Sequence, residues 1–156
     1  MKLVVATRNP GKLIEYRRML GRLGFEVQDL DEAGVPATVS LPEEADNFAD
    51  NARSKAVALQ SHTGGWALGD DSGLVVDALG GAPGVYSARY AGVAERGAAR
   101  DRANLDKLLD ALGATGDDRR TARFVCAIVL AGPGGRTVVA RGTCEGRITV
   151  TPAGSG

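Results

Sequence analysis

Apolar positions recur along this chain in two different rhythms. Residues 2–6 (KLVVA) form a short apolar run, and after the polar stretch TRNPGK at 7–12, Leu13, Tyr16, Leu20 and Leu23 return every three or four positions. That pattern predicts strand, loop and helix in succession. Asn9 followed by Pro10 marks the helix start, because an Asn side chain accepts from orphan N–H groups and Pro at the first helical position lacks only a donor that would go unpaired. Gly24 is expected to close this helix. Alternation over 25–30 predicts a second strand, and the acidic, Pro-containing stretch 31–44 has no period and reads as a loop.

From 46 to 62, Phe48, Ala52, Ala56 and Leu59 share one helical face, with Asp46 and Asp50 expected in the first turn and Gly64 and Gly65 at the end. Two apolar runs, 66–68 and 74–79, then flank the segment GDDSG, which reads as an acidic turn between two strands. Beyond a glycine-rich stretch at 80–92, Leu105, Leu108, Leu109 and Leu112 predict a third helix closed by Gly113. Runs at 121–131 and 136–143 joined by GPGG predict an antiparallel hairpin. Strands alternating with helices place the chain in the α/β class, as a three-layer α/β/α arrangement around a mixed central sheet.

Composition narrows the possibilities. A length of 156 residues fits one domain, on a prior of roughly 150 residues each. Lys and Arg number 19 against 19 Asp and Glu, so a phosphate site must be local and a generic nucleic-acid surface is not expected. Apolar residues at 44% suffice for a core and exclude disorder. The chain has no apolar run of membrane-spanning length and opens without the long apolar stretch of a signal peptide. With only Cys126 and Cys144, a reduced, cytoplasmic protein without membrane attachment is expected. Cys126, in an apolar strand, is expected in the core. His62 is the sole histidine and sits near a helix end, as a surface residue.

Three segments are candidates for chemistry. The loop TRNPGK hands a strand over to a helix N-terminus, where orphan N–H groups and the dipole favour an anion, and Lys12 adds a full charge. It also fits an ordinary capped turn with a solvated lysine. The acidic set comprises Glu43 and Glu44 together with Asp70 and Asp71, whose adjacent carboxylates repel unless a cation such as Mg²⁺ compensates them. A solvated Asp-Asp-Ser-Gly turn explains the same tetrapeptide. The glycine-rich loop 80–92 carries Ser87, Arg89 and Tyr90 and suits either close approach to a phosphorylated ligand or simple packing of Tyr86 and Tyr90 at a core edge.

Taken together, VVATRNPGK, EEADNFADNARSKA, ALGDDSGLVVDALGGAPGVYSARYAG and TARFVCAIVL resemble the inosine triphosphate pyrophosphatase family, in order and from residue 2 to the end. The resemblance implies Mg²⁺-dependent hydrolysis of non-standard purine nucleoside triphosphates (dITP, ITP, XTP) to a monophosphate and pyrophosphate, by water attacking the α-phosphorus. It assigns Thr7, Arg8, Asn9, Pro10, Gly11 and Lys12 to the triphosphate loop, Ser72 and Arg89 to substrate contacts, and Asp71 to the roles of general base and metal ligand. Glu43 matches a second metal ligand. Ala45, Asn47 and Asp50 stand where the family motif has Gly, Thr and Glu, so Glu43 and Glu44 both remain open for that role. The resemblance further implies a homodimer, and a chain shortened at its C-terminal end, because family members continue past TPAGSG into base-recognising segments. Runner-up readings are a Maf-like nucleotide pyrophosphatase and a catalytically silent nucleotide-binding module.

Overall fold

A computed structural model of the chain describes residues 1–94 and 97–152. The last four residues of the TPAGSG tail lie outside the described residues. Strand β1 (Lys2–Val5) pairs in parallel with β2 (Glu26–Gln28) and with β3 (Trp66–Val76), in registers Leu3↔Val27 and Val4↔Ala67. With β4 (Thr121–Gly132) and β5 (Arg136–Arg147), the sheet order is β2-β1-β3-β4-β5. β4 and β5 are neighbours linked by three residues, which only a hairpin can achieve, so the sheet is mixed. Helix α1 (Pro10–Gly21) follows β1, α2 (Phe48–Thr63) precedes β3, and α3 (Ala98–Leu112) precedes β4. Among the described residues, no helix is long and apolar enough to cross a membrane.

The chain divides into two compact units. One comprises Met1–Asp71 with Ala127–Arg141, the other Ser72–Cys126 with the chain from Gly142 onward, and the three longer strands contribute residues to both. In the first unit, side-chain alternation along the strands sorts two clusters. Leu3, Val5 and Leu68 bury against Tyr16 and Leu20 of α1, whereas Val4, Ala6 and Ala67 bury against Leu59 of α2 with Leu30 and Val35 from the preceding loop. The unit is therefore helix, sheet, helix. Each fully buried Val or Leu here contributes about 1.5–3 kcal/mol.

Small residues let α2 approach the sheet closely. Ala49, Ala52 and Ala56 meet Ala127, Val129 and Ala131 of β4. A Cβ on Gly69 of β3 would lie 2.1 Å from the carbonyl oxygen of Ala52 and 2.7 Å from the amide nitrogen of Ala56, so helix and strand backbones touch at a position only glycine can occupy.

In the second unit, Val76, Leu108, Leu112 and Ala122 form the core, with Leu74, Leu79, Tyr90 and Ile148 packed around it. The 80–92 stretch folds as a short 3₁₀ helix over Gly84–Arg89, held where Ser87 Oγ donates to the carbonyl of Gly84 (2.6 Å) and accepts from the amide of Leu74 (2.8 Å). Asp77 accepts from Thr121 Oγ1 at 2.7 Å and from Arg123 Nη1 at 3.1 Å. The Thr121 hydroxyl, and then the Arg123 guanidinium, hold its carboxyl below the ordinary carboxylate range. A depressed folded-state value stabilises the fold above the unfolded pKa of about 3.9, and that contribution is lost as pH falls through the folded value. NMR titration of the Asp77 carboxyl is therefore expected to give a midpoint below that of an unstructured Asp. Thr121→Val should move it upward, and an unmoved midpoint would show that the hydroxyl is not the cause.

The structure corrects several sequence expectations. The acidic turn does not exist: β3 runs unbroken through Asp70 and Asp71. The segment lacks the proline or left-handed glycine that would end a strand there, and packing on α2 keeps it extended. Helix α1 ends at Gly21, so Leu23 lies past it and is exposed, and Gly24 is a turn residue with φ of 83° rather than the closing residue. Asp46 precedes the Asn47 cap of α2, so only Asp50 occupies its first turn. Cys126 is half-buried rather than core, and Cys144 is exposed.

Candidate active site

The loop after β1 is built by local hydrogen bonds. Thr7 Oγ1 accepts from the Asn9 amide at 3.1 Å, and Asn9 Oδ1 caps α1 by accepting from Gly11 N–H at 2.9 Å and Lys12 N–H at 3.3 Å. Arg8 Nη2 donates to the carbonyl of Ala37 at 3.3 Å. Thr7, Arg8, Asn9, Pro10 and Leu13 line an open cleft of about 390 Å³ with Asp29, Leu30 and Asp31. Sequence reasoning expected orphan N–H groups at this helix start. The Asn9 side chain already satisfies two of them, so what the loop offers an anion is the dipole and the side chains, Lys12 foremost.

Lys12 reaches from the first turn of α1 to β3, where its Nζ lies 2.5 Å from Oδ2 of the buried Asp70. Asp70 has the parity of Leu68 along the strand and so faces α1. Asp71 has the parity of Ala67 and Gly69 and faces α2, where its Oδ2 accepts from Asn51 Nδ2 at 2.9 Å. The two carboxylates thus leave opposite faces of the sheet. The mutual repulsion expected of a carboxylate pair at a turn is replaced by a separate donor for each.

A third carboxylate, from the loop before α2, is held by the same helix. Glu43 Oε1 lies 2.6 Å from Nζ of Lys55, whose side chain is 6% exposed. Asn51, at 1% exposure, also accepts from the amide of Ala45 at 2.8 Å through its Oδ1. Asn51 and Lys55 are one helical turn apart, so they point from the same face of α2. That face therefore holds both Asp71 and Glu43, each through its own side chain. Glu43, rather than Glu44, is the glutamate held by Lys55. Leaving either buried polar group unpaired would cost about 1–3 kcal/mol, more for the ammonium, so these contacts hold the carboxylates firmly.

Asn51 and Lys55 were not singled out from the sequence, although the signal was there. Both fall on the stripe of Phe48, Ala52, Ala56 and Leu59, at three and seven residues from Phe48, where a polar side chain must find a buried partner. Ser72 and Arg89, the two remaining sequence candidates, belong to the second unit. Ser72 is half-buried in β3, and the Arg89 guanidinium lies 5.2 Å from the centroid of the Tyr86 ring. His62 is exposed in the last turn of α2.

For a metal ion the first unit offers hard oxygen donors, the carboxylates of Asp71 and Glu43, each oriented by a buried side chain. Among the described residues, no three of His, Cys, Asp and Glu converge in a metal-binding group. A two-carboxylate set fits Mg²⁺, which takes one or two protein carboxylates and completes its shell with water and substrate phosphates.

Comparisons with known proteins show what the whole chain is similar to. A family model described as the Ham1 family matches residues 3–156. The dITP/XTP pyrophosphatase of Exiguobacterium sibiricum is 51% identical over 149 residues, covering 95% of this chain and 72% of that protein. That of Desulforamulus reducens is 48% identical over 156 residues, covering 100% of this chain and 75% of that protein. Among solved structures, a nucleoside-triphosphatase / dITP/XTP pyrophosphatase from Mycobacterium abscessus superposes with a TM-score of 0.82 at 43% identity, over 99% of this chain and 78% of that one. The Ham1 protein of Staphylococcus aureus gives 0.85 at 35% identity, over 100% and 76% respectively.

Proposed function

The chain belongs to the Ham1 family, and from that premise we propose that it hydrolyses non-standard purine nucleoside triphosphates, such as dITP, ITP and XTP, to the monophosphate and pyrophosphate. The observation that carries this reading is the meeting of the helix-start loop with the acidic strand, where Lys12 of one touches Asp70 of the other, the residue before Asp71, whose carboxylate leaves the opposite face towards Asn51. Relatives about half identical over nearly the whole chain are named dITP/XTP pyrophosphatases, which supports the same substrate class.

The chain's own residues divide the work. Lys12, just past the carboxyl end of β1 and held by Asp70 from the middle of β3, offsets charge on the triphosphate, with Thr7, Arg8, Asn9, Pro10 and Gly11 shaping the loop around it. Asp71 accepts the proton of a water as that water's oxygen bonds to the α-phosphorus. The bond from the α-phosphorus to the bridging oxygen then breaks, and pyrophosphate leaves. Such a general base contributes about 10²–10⁴-fold. Asp71 and Glu43 would hold Mg²⁺, which when bound supplies charge neutralisation along the phosphates. This proposal also places the enzyme in the cytoplasm as a homodimer. Light scattering on purified protein, giving a mass of two chains, would bear out the dimer and a mass of one would end it.

Incubation with dITP or XTP and Mg²⁺ tests the activity directly. Pyrophosphate with monophosphate is the expected product pair; orthophosphate would identify a phosphatase, and no product would identify a binding module. Lys12→Met is expected to weaken triphosphate binding by about 1.5–3 kcal/mol, the range of a hydrogen bond to a charged group, as read by calorimetry. Because the same change removes the ammonium beside buried Asp70, a stability loss of about 1–3 kcal/mol should accompany it, moderated by the partial exposure of Lys12. Unchanged affinity in the folded variant would show that the loop is only a turn.

A further inference from the structure

We infer that Asn51 is a positioning residue that sets the two proposed metal-ligating carboxylates, Asp71 and Glu43, from a single buried amide; this inference rests on the proposed pyrophosphatase reading. Asn51 is among the most deeply buried polar side chains of the described residues, and both ends of its amide are engaged. The Ala45 N–H can only donate, so it must meet Oδ1, and Nδ2 must then face Asp71. No flip of the amide satisfies both partners. The arrangement therefore requires an acceptor oxygen of Asp71 on the α2 side, which fixes the rotation of that carboxylate about its own side-chain bond.

The other end of the amide acts on the loop. Ala45 is two residues from Glu43, and its anchored N–H restrains the backbone that delivers Glu43 to Lys55 one turn further along α2. Asn51 and Lys55 thus act on different atoms. Lys55 grips the Glu43 carboxylate itself, while Asn51 locks both the main chain that carries Glu43 and the Asp71 carboxylate that works with it. Asn51 contacts neither water nucleophile nor phosphate in this scheme; it acts through Asp71 and through residues 43–45.

Three variants test the inference in the full chain. Asn51→Asp keeps an acceptor for the Ala45 amide but gives up the donor to Asp71. It is expected to leave Ala45 amide exchange slow and the dITP KM within about threefold, while kcat falls about 10–100-fold, the usual scale for residues that orient metal ligands. Asn51→Leu loses both bonds, so Ala45 exchange should accelerate and kcat should fall at least as far. In this variant the Mg²⁺ concentration that half-saturates calorimetric binding of the non-hydrolysable analogue α,β-imido-dITP should rise about 10–100-fold. If Asn51→Leu does not fold, Asn51→Ser, whose hydroxyl is too short to span both partners, is expected to give the same readings. An Asn51→Asp enzyme with wild-type kcat, or an unchanged Mg²⁺ requirement in Asn51→Leu or Asn51→Ser, would overturn the inference. A wild-type chain that releases no pyrophosphate would instead sink the functional reading, which separates the two failures.

Discussion

Asp71→Asn should lower the turnover of dITP or XTP by about 10²–10⁴-fold, the contribution of a positioned general base, and deeper still if the same oxygen atoms bind the metal. The substitution is isosteric, and the neighbouring Asn51 Nδ2 can still donate to the amide oxygen that replaces Oδ2, at the 2.9 Å spacing of the original contact. Folding should therefore survive, and thermal melting should register a change of no more than about 1 kcal/mol, the net worth of one hydrogen bond. Measuring pyrophosphate release and melting on the same preparation separates chemistry from stability. A variant that melts like the wild type and turns over at the wild-type rate would remove Asp71 from the reaction.

Gly69→Ala should produce the largest stability loss of any single methyl addition in the first unit. The new Cβ would fall 2.1 Å from one backbone atom of α2 and 2.7 Å from another, distances that no side-chain rotation can relieve. Helix and strand must separate, at a cost of about 3 kcal/mol or above, the upper range for overpacking a well-filled core. Separation also lengthens the Asn51 to Asp71 contact, so activity should fall in the molecules that remain folded. Denaturant unfolding together with turnover per folded molecule would test both halves, and an alanine variant of wild-type midpoint would show that the close contact is not tight in solution.

Much of this architecture was legible in the residues. Asn9 and Pro10 announced the start of α1 because the capping chemistry is local, and the Phe48, Ala52, Ala56, Leu59 period announced α2 because one face must bury. Where the sequence misled, tertiary packing decided. Gly69, Asp70, Asp71 and Ser72 have the composition of a turn, yet the close approach of α2 at Gly69 and the separate partners of Asp70 and Asp71 keep the segment extended. Leu23 fits the helical period, but α1 has already ended, since Gly21 to Gly24 break it before the fourth apolar position arrives. The candidate site divides in the same way. Lys12, Glu43 and Asp71 carry charge in suggestive places and stand out as candidates from the sequence alone. Asn51 and Lys55 looked like polar interruptions of an apolar stripe, and only the fold shows what each of them touches.

Side-chain alternation at Asp70 and Asp71 has a consequence for how this protein tolerates change. Neighbours in the sequence serve different layers, one answering α1 and the other α2, so their identities depend on counting from Leu68. Deleting or inserting a single residue just ahead of them would hand each carboxylate to the wrong helix: a deletion would set Asp71 against Lys12 and leave Asn51 without its acceptor, an insertion would set Asp70 against Asn51 and leave Lys12 without its partner, although every amino acid needed would still be present. The strand can accept substitutions at many positions but not a change of length at this one.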